Sequence, residues 1–151
     1  MRSFPEYFEC FHFTEASFGA PTVIEQSIAT SFGQVMTIPV RNLPVKGSAQ
    51  GVHPLIEDGD DKAIRQHSVL GCVVDGLLVF KGVFLSRRKM TEYIGDPMKP
   101  DGFKDMYVIE DVNLPLTGEV LKVYPFEGSL EEPNAFVSWN IIARSFELQV
   151  E

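Results

Sequence analysis

The 151 residues suffice for one ordinary hydrophobic core, and a 44% hydrophobic fraction that includes 12 Phe is too apolar for a disordered chain. The longest apolar run, residues 69–85, is broken by Asp75-Gly76 and Lys81-Gly82, which excludes a membrane-spanning helix. A formal net charge of −8 repels phosphate backbones, so nucleic acid is not an expected partner.

In chain order, Met1-Arg2-Ser3-Phe4-Pro5-Glu6 contains one base and no continuous apolar stretch. It lacks the form of a secretory signal, and a cytoplasmic location is the expectation. Residues 7–13 are rich in aromatics and read as a first strand. Cys10 and His12 then share a strand face, where a thiolate–imidazole pair is conceivable. No third orienting group accompanies them, and a buried apolar Cys beside a core His is the plainer reading. Cys10 and Cys72 both sit in apolar segments without a CxxC partner.

Residues 23–30 and 34–41 form a predicted hairpin around Ser31-Phe32-Gly33. From residue 42 to 68 no strand signal survives Pro44, Gly47, Gly51, Pro54 and Gly59, so a long connection is expected, relieved at most by a helical turn near residues 61–66. Within it, Glu57-Asp58-Gly59-Asp60-Asp61 lies between His53 and His67. The spacing fits neither an EF-hand nor a standard zinc set, so a solvated turn is expected and no metal or cofactor is assigned.

Residues 69–74 and 77–85 flank Asp75-Gly76, the dipeptide best suited to a type I′ turn with two positive φ angles. Ser86 is placed to cap a short helix over residues 87–94, ending at Gly95; Arg87-Arg88-Lys89 has the wrong sign for that helix start, and the competing reading is a polar-faced strand running on from Leu85. Strands follow at residues 105–112, 119–126 and 135–150. In the last, the odd positions Val137, Trp139, Ile141 and Ala143 are apolar, then the even positions Phe146, Leu148 and Val150. A strict period of two cannot bury both sets on one face, which predicts a β-bulge or sharp bend near Ala143-Arg144. Trp139 is expected in the core.

Eight such strands predict a single all-β domain over residues 1–151, an antiparallel β-sandwich with at most one short helix; a closed eight-stranded barrel is the alternative. Residues 105–151 hold nine acids against two bases, whereas residues 63–104 hold seven bases against four acids. That asymmetry predicts a dipolar field with an acidic side. Since no catalytic signature accompanies it, the function expected is a non-enzymatic binding protein, of the immunity or inhibitor type, for a basic protein partner. Its contact residues are taken to be Glu110, Asp111, Glu127, Glu131 and Glu132. A small-molecule carrier built as a barrel is second, and a metal- or thiol-dependent enzyme third.

Overall fold

The computed structural model describes residues 2–28, 31–47, 51–57, 63–96, 99–103, 107–112, 120–130 and 135–151. Among these are ten strands: β1 Arg2–Pro5, β2 Ser17–Phe18, β3 Thr22–Ile28, β4 Ser31–Pro44, β5 Ile64–His67, β6 Gly71–Asp96, β7 Lys99–Phe103, β8 Tyr107–Val112, β9 Lys122–Leu130 and β10 Ala135–Val150. One four-residue helix, α1 Pro54–Glu57, accompanies them. The all-β class read from the sequence is the class observed.

β6 and β10 pair antiparallel along most of their length and form the spine. The other side of β10 carries β9 over residues 135–143 and β1 over residues 147–150. β9 runs parallel to β2, β2 antiparallel to β4, and β4 antiparallel to β6, so β10, β9, β2, β4 and β6 close a circuit. The circuit has five members instead of the eight of the barrel alternative, and its β2–β9 pair departs from a wholly antiparallel sheet.

The predicted break in the last strand is present. The β10–β6 register shifts between Ile142 and Ala143, and the buried positions of β10 change from odd, up to Ala143, to even from Phe146. The extra residue of the shift is Phe84 on β6, and close to it stands Gly82, whose φ of 64° is open to glycine and strained for other residues. A Cβ there would stand 2.9 Å from Cβ of Arg144, so the two strands touch at backbone distance. Past this bend the second neighbour of β6 changes: β4 flanks it up to Val83, and β8 from Leu85.

Several local expectations are corrected. Asp75-Gly76 is no turn; β6 runs straight through it. The bulge belongs to the facing strand, where β4 slips register between Val40 and Leu43 and Asn42 takes a φ of 55°. Asp75 Oδ1 accepts the Asn42 N–H at 2.9 Å and an Arg65 N–H at 2.7 Å, while a Cβ on Gly76 would collide with the Gln149 carbonyl oxygen. The glycine therefore answers a close strand crossing, which no local pattern announces. Residues 87–94 continue β6 as the polar-faced strand, because β8 and β10 supply partners on both sides. The first hairpin pairs Thr22↔Thr37 through Ile28↔Ser31, so its turn falls before Ser31, and Ser31-Phe32-Gly33 belong to β4.

The aromatic segment 7–13 is not a strand but part of a path through two 3-10 turns, Phe8–Cys10 and Phe13–Glu15. Left-handed Glu6 and Tyr7 turn the chain off β1, and the turns then bury Cys10, Phe11 and Phe13, more apolar groups than one strand face delivers. The 42–68 connection is shorter than expected: β4 reaches Pro44, α1 precedes the proposed helical turn, and residues 64–67 are strand β5 paired with the start of β6.

The interior is filled with aromatic side chains. Phe80 stacks on Phe126 with centroids 5.8 Å apart, Phe126 on Trp139 at 5.1 Å, and Phe18 meets the edge of Trp139 at 5.2 Å. Phe8 meets Phe146 edge-on at 5.2 Å, joining the N-terminal turns to the spine. Such contacts contribute roughly 0.5–1.5 kcal/mol each beyond burial.

Two glycine substitutions separate strain from crowding. Gly82→Ala is expected to lose about 2 kcal/mol, from the positive φ and the Arg144 contact. Gly76→Ala is expected to lose about 3 kcal/mol or more, since backbone must move to admit the methyl. Urea unfolding of both variants checks this; wild-type stability in Gly76→Ala would contradict the close crossing.

Candidate functional site

Cross-strand partners in a sheet point to the same face, so register locates the acidic candidates. β8, β6, β10 and β9 lie side by side, and their outward residues form rows: Glu110, Arg87, Asn140 and Pro125 in one; Val108, Lys89, Ser138 and Glu127 in the next. Leu85, Ile142 and Val123 make a third row on the same face, and Thr91, Phe136 and Ser129 a fourth. Glu110, Arg87, Lys89, Asn140, Val108, Val123 and Glu127 are all exposed.

Two of the five acids expected at the contact, Glu110 and Glu127, are thus on one face, separated by the basic strand β6. Glu110 is tied to Arg87 at 3.4 Å. Glu127 has no hydrogen bond or ion pair among the described residues, and neither does Lys89. Asp111 lies on β8 opposite Ser86, with only its backbone described. Glu131 and Glu132 lie outside the described residues. The sequence charge asymmetry is not kept in space here: the base-rich segment is sandwiched between the acid-rich ones. Strand alternation also divides the basic triplet, turning Arg87 and Lys89 outward and half-burying Arg88.

Glu127 also lines an open cleft of about 410 Å³ beside the N-terminal turns, with His12, Thr14, Pro125 and Ser138. His12 is exposed, unlike the core histidine the sequence implied, whereas Cys10 is fully buried with its Sγ 3.8 Å from the Gly51 carbonyl. The pair does not share a strand face. A second cleft, about 540 Å³, is bordered by Arg41, Arg65, Asp75 and Gly76. Burial works to raise the Asp75 pKa, but the Asn42 N–H and the Arg65 guanidinium outweigh it and hold the carboxyl below its ordinary value.

His53 and His67 do not converge on a metal site, and among the described residues no three His, Cys, Asp or Glu side chains gather. His67 Nδ1 accepts the Val69 and Leu70 N–H groups at 3.1 Å, closing its turn. His53 is a core residue, fully buried between the rings of Phe4, Tyr7 and Phe11. Its Nδ1 accepts the Leu55 N–H at 3.0 Å at the start of α1, which leaves the proton on Nε2, buried without a partner. Burial pushes its pKa down to about 4. The side chains of residues 57–61 lie outside those described. No helix of the described residues is long and apolar enough to cross a membrane.

Comparison with protein-family models, with curated proteins and with solved structures finds no match.

The His53 site predicts acid sensitivity. Its folded pKa lies below the unfolded value of 6.5, so the unfolded chain takes up the proton first as pH falls. This contribution to stability is complete above pH 6.5 and declines toward pH 4, with a slope limited to about 1.4 kcal/mol per pH unit. His53→Gln, which keeps a group able to accept the Leu55 N–H, is expected to flatten that limb of the urea-midpoint profile. An unchanged profile would show that His53 does not titrate on unfolding.

Proposed function

We propose that this chain is a non-enzymatic cytoplasmic binding protein, of the immunity or inhibitor type, that meets a basic protein partner on the outer face of β8, β6, β10 and β9. The observation that carries the reading is Glu127: an exposed carboxylate without a cation among the described residues, at the edge of an open cleft and two strands from Lys89. Exposed Val108 and Val123 on the same face offer apolar contact beside the charge, the mixture common at non-obligate interfaces. Glu110 has a smaller part, because Arg87 already satisfies it. The acids at 131 and 132 follow β9 in sequence and extend the same acidic run. Two free thiols, Cys10 and Cys72, accord with a reducing compartment.

The carrier alternative is weakened by the interior, where stacked Phe80, Phe126 and Trp139 occupy the space a ligand would need. The thiol enzyme loses its pair, since Cys10 is buried and His12 faces solvent.

The test is affinity capture from host lysate using wild type, Glu127→Lys, the triple Lys variant at 127, 131 and 132, and Glu110→Gln. A basic protein is expected to be retained by wild type and Glu110→Gln and lost from the two Lys variants. For the purified pair, association is expected to slow about tenfold or more between low and physiological salt while dissociation changes less. Recovery of the same proteins by all four forms would refute the acidic contact.

A further inference from the structure

We infer that the face assigned above to partner binding also pairs with a second copy of the chain, so that Glu127 is covered by Lys89 of that copy until another partner displaces it. The inference rests on the outer face being a contact surface, and its new observation is that the face is complementary to itself. Lys89, Ser138 and Glu127 are consecutive in one row, cation and anion flanking β10 on opposite sides. Strands lie about 4.8 Å apart, so the two charges are separated by roughly 10 Å with Ser138 between them. Each lacks an ion-pair partner among the described residues, although each is exposed.

Consider a two-fold axis parallel to β10, lying between two such faces. It sets β6 of one copy over β9 of the other and keeps each row over itself. Lys89 then stands over Glu127 of the second copy, and Glu127 over Lys89 of the second copy, so one contact is made twice. Leu85 falls over the exposed Val123 of the second copy, while Ile142, Asn140 and Phe136 lie along the axis. Arg87 faces Pro125 of the second copy and stays with its own Glu110. Packed sheets are about 10 Å apart, a gap that extended Lys and Glu side chains span together. An axis across the strands instead sets β6 over β6, opposing Arg87 and Lys89 with their own kind, so charge selects the first arrangement.

With the axis on β10, the overlap comprises β6, β10 and β9, while β8 lies beyond β9 of the second copy; three strands by seven residues give about 14 Å by 23 Å, or on the order of 650 Å² for both copies together. That is below the standard size of specific interfaces, so the pairing is weak and transient and depends on the duplicated Lys89–Glu127 contact. A dimer of this strength leaves the face available to a tighter partner, which makes self-association a competitor that sets a threshold for binding.

Sedimentation equilibrium of the purified full chain, from about 1 μM to about 1 mM at low and high salt, tests the inference. Wild type is expected to pass from the 16.9 kDa monomer toward twice that mass, less readily in high salt. Lys89→Glu and Glu127→Lys are each expected to weaken association at least tenfold, because each places like charges together at two symmetric sites. The double exchange Lys89→Glu/Glu127→Lys is expected to recover wild-type association within about threefold, since the pairs re-form with reversed sign. Thermal midpoints within a few degrees of wild type show that the variants remain folded; Ser138→Arg, a bulky charge on the axis, gives a further route to disruption if either single variant does not fold. A wild type monomeric throughout, or a double exchange as weak as the singles, overturns the inference. A monomeric wild type whose Glu127→Lys variant still loses its basic protein from lysate overturns the dimer alone and leaves the binding function standing.

Discussion

The structure depends on one mismatch of period. A strand presents alternate side chains to one face, yet β6 and β10 carry apolar residues in two different phases along a single ladder. The β10–β6 register slips between Ile142 and Ala143, and just beyond it, where Gly82 takes a φ of 64° against Arg144, the buried pairs change from Ala143 and Val83 to Phe146 and Phe80. The slip also bends β6, which permits it to exchange β4 for β8 as its second neighbour.

The same bend decides where the charges lie. Read along the chain, bases precede acids and suggest two poles; read across the sheet, the basic stretch of β6 lies between β8 and the β10–β9 pair. Coulombic attraction between neighbouring strands is satisfied locally at Arg87–Glu110. What remains is a short alternation centred on Ser138, with Lys89 on one flank and Glu127 on the other. Directional specificity of a face arises from such an unsatisfied residue pattern more than from net charge.

Legibility in the sequence followed the range of each interaction. The β10 phase change was visible because both apolar sets, from Val137 to Val150, lie within one segment and the conflict is internal to it. The pairing of β3 with β4 is legible for the same reason, but not its connection, since Ser31-Phe32-Gly33 belong to β4. Asp75-Gly76 misled because its glycine responds to the Gln149 carbonyl, 73 positions away in sequence, while its aspartate answers Asn42 and Arg65. The N-terminal turns were hidden because consecutive aromatics look like a strand until a core exists for all of them to enter. At the candidate site, charge alone points to Glu110 and Glu127. Their common face, and the importance of Lys89 between them, required the register of three strand pairs.

The circuit closes through β2, a strand of two residues paired as Ser17↔Arg41, Phe18↔Val40, Ser17↔Ser129 and Phe18↔Leu130, with the Gly19 N–H on the Pro39 carbonyl and the Ser129 N–H on the Ala16 carbonyl beside it. This is a seam, and a seam is where a fold opens without unfolding. Lifting β2 would release Phe18 from Trp139 and Phe126 and open the circuit, exposing an edge of β9 and the part of β4 beyond its pairing with β3. Both edges carry a proline near the seam, Pro39 on β4 and Pro125 on β9. Each keeps its ladder partner, Leu77 and Asn140 respectively, so the missing N–H is on the side that opening exposes. Each proline thus removes one hydrogen-bond donor from an edge that lifting β2 would expose.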